Sequence, residues 1–309
     1  MEEAPYFEKV ADAPPGGRAC WLNASDGTRI RVVYWGGEAL EGTLLLFPGR
    51  TEYAEKYGRT AKGLAERGLA TLCIDWRGQG LADRLHEDEM LGHVRRFSDY
   101  QRDVRAMVEA AKTLGAPEPY YLLGHSMGGC IGLRALHEGL EVKAAAFTAP
   151  MWGIYLAPAM RPTAWALSNA TSKLGIGGRL APGTKRETYV LADPFDDNML
   201  TTDRDMWDYM VRQAKAHPEL TLGGPSLHWL AEALRETRKL HIMASPPHQA
   251  ICFLGTRERI VDVSRIESRM RRWENGRLVM QEGAEHEVLM ESSEMRAAIL
   301  DEMVRFFFE

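Results

Sequence analysis

Two spacings of apolar residues alternate along the chain from residue 43 onward. "TLLLFPG", "LATLCID", "PYYLLG", "VKAAAFTAP" and "QAICFLG" are short, continuous apolar runs, the pattern of strands covered on both faces. Between them lie stretches with apolar residues every three or four positions. "YAEKYGRTAKGLAERG" stops on Gly68, and "FSDYQRDVRAMVEAAKTLG" sets Phe97, Val104, Met107, Val108 and Ala111 on one side. These stretches and "MGGCIGLRALHEG" predict helices. Strands alternating with helices predict an α/β fold: a mostly parallel sheet with helices on both faces. Upstream, "ACWLNASDGTRIRVVYWGG" predicts two strands around the turn Asp26-Gly27, and residues 1–18, rich in Pro and Gly, predict a loose N-terminal arm.

The rhythm stops near Pro150. Residues 151–248 contain "MWGIYLAPAMRPTAWALSNATSKLG", "DRDMWDYMVRQAKAHPEL" and "SLHWLAEALRETRKL", which are helix and loop without a convincing strand. It resumes with "QAICFLG", a helix around "VSRIESRMRRW", the turn Asn275-Gly276, strand "RLVMQEG" and a last helix from Ser293. The expected organisation is a core of 19–150 and 249–309 interrupted by a helical insertion, 151–248.

Composition narrows the function classes. The 309 residues are 45% hydrophobic and 26% charged, ordinary for a globular protein with a sizeable core. A net charge of −5 and no Lys/Arg run give no reason to expect nucleic acid. The four cysteines, Cys20, Cys73, Cys130 and Cys252, form no Cys-x-x-Cys pair, and buried free thiols suit a reducing compartment. "MEEAPYFEKVADAPPGG" lacks the apolar centre of a signal peptide, and no run approaches a membrane span. A cytoplasmic setting is expected, with peripheral contact at the inner membrane surface left open. No His/Cys cluster has metal-ligand spacing, so no metal or cofactor is expected.

The chemistry centres on "YYLLGHSMGGCIGLRAL". Gly124-His125-Ser126-Met127-Gly128 matches Gly-x-Ser-x-Gly, with a strand before it and a helix after it. A sharp strand-to-helix turn strains the central residue, and its near neighbours must shrink to glycine. The hydroxyl then stands at the carboxyl edge of the sheet, at a helix start with free N–H groups. A serine nucleophile needs a base held by an acid, and with this motif the chain order is Ser, acid, His. Of nine histidines, His286 in "EGAEHEVLME" lies late enough and follows a strand. The acid should follow "QAICFLG", where "GTRERIVDV" offers Glu258 and, as the alternative, Asp262. Two N–H donors should hold the oxyanion: Met127, after the serine, and Arg50, in the loop after "TLLLF", where Gly49 lets the backbone approach substrate. The Arg50 side chain either pairs with Glu52 or a nearby aspartate, or meets an anionic head group.

These segments resemble the bacterial lysophospholipase and monoacylglycerol lipase group of α/β-hydrolase-fold serine hydrolases. "FPGRTEYAEKYGRTAKGLAERGLATLCIDWRGQGLADR" is similar to that group's oxyanion segment and Asp-x-Arg-Gly-x-Gly turn, "GHSMGG" to its nucleophile elbow, and "GAEHEVLME" to its histidine segment. "NMLTTDRDMW" and "HPELTLGGPSLHWL" resemble the cap of the lysophospholipase branch, and the likeness runs from about Ala19 to Phe308. The resemblance implies an α/β-hydrolase fold with a helical cap, Ser126 as nucleophile, His286 as base, and oxyanion donors at Arg50 and Met127. The group's acid is usually Asp in Gly-x-x-Asp, whereas this chain has Gly255-Thr256-Arg257-Glu258, which keeps Asp262 in view. Pro48-Gly49-Arg50 in place of His-Gly leans toward the lysophospholipase branch.

An insertion between nucleophile and acid falls beside the carboxyl edge of the sheet, where ligands of open α/β sheets bind. Met151, Trp152, Ile154, Tyr155, Leu156, Met160 and Trp165 are therefore expected to offer lining for an acyl-chain tunnel. The expected activity is hydrolysis of lipid carboxylic esters through an acyl-enzyme. Alternatives are a small-ester esterase, an amide hydrolase, or a non-catalytic ligand-binding protein on the same fold. Epoxide hydrolysis and dehalogenation are disfavoured, because related enzymes use aspartate where this chain has Ser126.

Overall fold

The computed structural model describes residues 1–37, 41–155 and 175–309. Nine strands form one sheet: β1 (Glu2–Glu3), β2 (Arg18–Asn23), β3 (Arg29–Trp35), β4 (Thr43–Phe47), β5 (Ala70–Asp75), β6 (Tyr120–His125), β7 (Ala144–Thr148), β8 (Gln249–Gly255) and β9 (Gly276–Gln281). Their spatial order is β1-β2-β3-β5-β4-β6-β7-β8-β9. The first three strands join antiparallel, and β4 through β9 run parallel. This is the α/β-hydrolase fold.

Every residue of β4, β5, β6 and β7 is buried, as their continuous apolar runs predict. Alternate residues feed opposite cores. Leu45 and Phe47 pack with helices Tyr100–Thr113 and Met127–His137, through Val104, Met107, Cys130 and Ile131. Leu44 and Leu46 pack with helices Gly58–Ala65 and Ser293–Phe308, through Ala61, Leu64, Ile299 and Met303.

Because β4 through β9 are parallel, the loops after β4, β6, β8 and β9 leave from one edge of the sheet. The chain passes from β4 to β5 on one side and then crosses to β6 on the other. The order thus reverses between β4 and β6, where open α/β sheets form their crevice. Between β7 and β8, neighbours in the sheet, the described residues contain helices Tyr189–Ala192, Arg204–Ala216 and Leu227–Ile242 and no strand of the sheet. Asp203 Oδ1 and Ser226 Oγ accept from the third residue of the two longer helices and fix where they start.

The N-terminal arm departs from expectation: it is docked. β1 extends the sheet, Phe7 stacks on His217 with ring centroids 3.6 Å apart, and the Trp35 indole donates to Tyr6 Oη at 2.8 Å. Gln213 and Tyr209 on helix Arg204–Ala216 donate to the carbonyls of Val10 and Ala11. Prolines and glycines there shape a path over other elements, and the contacts that hold it include ones from residues more than 200 positions away.

Under the arm, Arg31 is saturated by acceptors. It donates to both Glu55 oxygens (2.8 and 2.6 Å), to Asp75 (2.8 Å) and to the Pro5 carbonyl (2.8 Å), with all three charged side chains fully buried. Arg31→Met would leave two carboxylates facing each other out of water. It is expected to cost roughly 3–5 kcal/mol in chemical denaturation. The exposed Arg29–Asp83 pair, cut by Arg29→Met, should cost no more than about 1 kcal/mol. All four cysteines are free, and Cys73, Cys130 and Cys252 are buried.

Candidate active site

Ser126 sits between the last residue of β6 and the first of helix Met127–His137, with φ 48° and ψ −115°. That left-handed conformation is costly for a residue with a Cβ and persists where surroundings over-determine it. The Ser126 amide donates to Thr148 O (3.1 Å), and its carbonyl accepts from Gly129 (3.0 Å) and Met151 (2.8 Å). The flanking glycines are compulsory: a Cβ on Gly128 would lie 1.9 Å from Phe47 O, and one on Gly124 would lie 2.8 Å from the Gly129 Cα.

The loop after β9 brings His286 to this turn. Its ring centroid lies 4.9 Å from that of His125, the residue preceding Ser126. His286 Nδ1 is 2.7 Å from Glu258 Oε2, and Glu258 Oε1 accepts from the amides of Ile260 (2.6 Å) and Val261 (3.0 Å). Asp262 is occupied elsewhere. It caps helix Val263–Arg271, accepting from the Arg265 amide (3.4 Å) and Ser264 Oγ (2.6 Å). The longer glutamate arm therefore reaches the imidazole from the position that the Gly-x-x-Glu spacing marks.

Electrostatics follow from these contacts. Burial works against a charged His286, but the Glu258 carboxylate and its hydrogen bond, with Glu287 and Glu52 beyond, raise its pKa above the ordinary 6.5. Burial would push Glu258 up, yet the His286 partner and two backbone amides hold it below the usual carboxylate range.

Beneath the histidine lies a charged cluster that sequence reading missed. Lys56 Nζ contacts Glu52 Oε1 (2.7 Å) and Glu287 Oε2 (2.5 Å), all three side chains being buried. Glu52 also accepts from Tyr57 Oη (2.6 Å) and the Gly49 amide and faces His125 Nε2 at 3.5 Å. One lysine thus ties the loop after β4 to the loop carrying His286, and Glu52 extends the cluster to His125 beside the serine turn. Burial favours the neutral form of Glu52, but Lys56 and His125 draw its pKa down to about 2, whereas burial drives His125 down to about 4. Glu52, His125 and Glu287 could each offer a ligand atom to a cation, and Lys56 supplies the positive charge against both carboxylates. In sequence, "EYAEKY" reads only as helix-forming. Glu291 is a second missed residue. It accepts from the Glu285 amide (2.9 Å) and from Thr202 N and Oγ1 (3.0 and 2.6 Å), pinning the histidine loop to the segment between β7 and β8.

In the loop after β4, Gly49 donates to Glu52 and accepts from Gln79 Nε2 (2.8 Å). Arg50 follows, with Thr51 at φ 68°. The Arg50 side chain pairs with neither Glu52 nor an aspartate. It donates to Gly223 O at 2.8 Å and lies 5.8 Å from the Trp229 ring centroid.

Among the expected lining residues, Trp152 is 2% exposed. Its indole packs with Phe147 and Trp273 and donates to Gly129 O at 3.1 Å. Met151 is also buried, its amide on Ser126 O. Ile154 bridges to Val261, and Tyr155, its amide on Ile260 O, is 56% exposed. Leu156, Met160 and Trp165 lie outside the described residues.

A strained serine on a strand-to-helix turn, beside a buried carboxylate–imidazole pair on a mostly parallel sheet, defines an α/β-hydrolase-fold protein of the serine hydrolase type. Residues 38–293 match the family "Serine aminopeptidase, S33", and the chain belongs to that family. It is 33% identical over 293 residues to lysophospholipase L2 of Escherichia coli K12, covering 91% of this chain and 85% of that protein. It is 27% identical over 270 residues to the probable lysophospholipase L2 of Haemophilus influenzae, covering 87% and 84%. Among solved structures, a soluble variant of Saccharomyces cerevisiae monoglyceride lipase in complex with a substrate analog superposes with a TM-score of 0.73 at 21% identity, over 98% of each chain.

Proposed function

We propose that the protein hydrolyses carboxylic ester bonds of lipids, as a lysophospholipase or monoacylglycerol lipase, through a covalent acyl-enzyme. The observation that carries this reading is the Glu258–His286 contact at 2.7 Å beside the strained Ser126 turn. His286 takes the Ser126 proton as the hydroxyl attacks the ester carbonyl. The amides of Arg50 and Met127 hold the negative oxygen of the tetrahedral intermediate. The alcohol leaves with the proton from His286, and water, activated by the same imidazole, releases the fatty acid. Glu258 holds the tautomer and stabilises the imidazolium. No step calls on a metal or organic cofactor.

The insertion between β7 and β8 acts in this reading as a cap, and Ile154 and Tyr155 bond to Val261 and Ile260 in the loop that carries Glu258. Among the described residues no helix is long and apolar enough to cross a membrane. A lipid substrate would be met at a membrane or micelle surface.

Fatty-acid release from a monoacylglycerol, a lysophospholipid, a p-nitrophenyl ester series and an aminoacyl p-nitroanilide tests the reading. Turnover of the long-chain lipids above the others is expected. Preference for the anilide, which the family's description makes a natural control, would contradict it.

The pH profile carries a further expectation. A protonated His286 cannot accept the Ser126 proton, so activity falls as pH drops through the histidine's raised pKa. The acid limb of kcat/KM is expected above 6.5, and Glu258→Gln should move it down. A wild-type limb at or below 6.5 would count against the Glu258–His286 pairing.

A further inference from the structure

Among the described residues, Arg50 is a cation without a carboxylate partner. Among the described residues no carboxylate lies within salt-bridge distance of it; its contacts are the Gly223 carbonyl at 2.8 Å and the Trp229 ring. Burial lowers its pKa to about 10. Outside the described residues the one carboxylate in the sequence is Glu38, and the segment 156–174 contains none. Arg84 lies nearby: it donates to the Glu219 and Thr221 carbonyls, both at 3.1 Å, and its Nη1 is buried without an acceptor, with Asp75 and Glu89 acting on it from beyond salt-bridge distance. Two guanidiniums thus converge on 219–223, held only by neutral carbonyls. Both side chains are partly buried, and a cation that has lost part of its water without gaining a carboxylate keeps donors for an anion.

We propose that Arg50 forms a head-group subsite for the phosphodiester of a lysophospholipid, making it the residue that selects this substrate over a neutral monoacylglycerol. The proposal rests on the lipid-ester reading above. If the Arg50 amide holds the ester oxygen, the side chain starts beside the reacting carbonyl. An extended arginine side chain is comparable in length to the glycerol link between ester and phosphate. The donors not used on Gly223 form a planar fork that suits two phosphate oxygens. Arg84 adds positive potential behind it.

The competing role is a staple: Arg50 merely fastens Gly223 to the oxyanion loop. Both roles predict damage on substitution, but only a head-group contact predicts damage that depends on the substrate. Kinetics of wild type, Arg50→Met and Arg50→Lys should be compared on lysophosphatidylglycerol and monoacylglycerol of one acyl chain, in neutral-detergent micelles. The ratio of kcat/KM values should fall by at least about tenfold in Arg50→Met, chiefly through KM, as for a lost charge-assisted hydrogen bond. Arg50→Lys should recover part of it. An unchanged ratio overturns the proposal. Should the variants fail to fold, wild type decides. Glycerol phosphate should compete with monoacylglycerol and weaken with added salt, and inhibition no stronger than by glycerol overturns the subsite. Wild type that cleaves monoacylglycerol but not lysophosphatidylglycerol refutes the Arg50 proposal and leaves the esterase reading standing. Cleavage of neither refutes both.

Discussion

Replacing Ser126 with alanine is expected to reduce ester turnover by at least about 10⁵-fold while leaving the fold intact. The hydroxyl is the atom that bonds to the acyl group, and nothing else at the turn replaces it. His125 is adjacent, but its Nδ1 lies 3.0 Å from both Thr148 oxygens and its ring is buried. The fold should survive because the turn is held by backbone bonds from Ser126 to Thr148, Gly129 and Met151, which alanine keeps. Unfolding midpoints and far-ultraviolet circular dichroism close to wild type, alongside the lost turnover, would separate chemistry from stability. Residual activity within about a hundredfold of wild type would remove Ser126 from the mechanism, since the hydroxyl's loss should cost far more.

The second large effect distinguishes two carboxylates only four positions apart. Glu258→Gln should cost about 10⁴-fold in kcat, because the amide cannot stabilise the imidazolium and favours the wrong tautomer. Asp262→Ala should cost about 1 kcal/mol of stability as a lost helix cap and leave the imidazole's partner untouched. The contrast is sharp because Glu258 Oε2 contacts His286 at 2.7 Å while Asp262 bonds the start of its own helix. If Asp262→Ala were the crippled variant and Glu258→Gln nearly active, the acid would have to be reassigned.

What was legible in the sequence followed from local physics. "TLLLF" and "YYLLGH" read as buried strands because both faces are covered by helices, and the structure buries every residue of each. The serine turn was legible because only glycine fits two positions to either side of it, a constraint that the clash of a Gly128 Cβ with Phe47 O makes explicit. The acid was narrowed to two residues and no further. Whether a carboxylate meets the imidazole or caps a helix depends on where β9 delivers His286, which local spacing does not encode. Lys56 was missed for a similar reason. It reads as the polar side of a helix, yet tertiary topology places it against Glu287, 231 positions on. Trp152 could be read as substrate lining or as core because large apolar residues serve both, and in the structure its ring packs with Phe147 and Trp273. The docked arm shows the limit in reverse, since Pro and Gly signal absence of regular structure and not absence of contacts.

The most direct measurement is covalent labelling of the native enzyme by a fluorophosphonate, followed by mass mapping of the modified peptide. Phosphonylation at Ser126 is predicted, abolished in Ser126→Ala and strongly slowed in His286→Ala. Label on a different residue, or undiminished labelling of Ser126→Ala, would contradict an activated serine at the β6 turn.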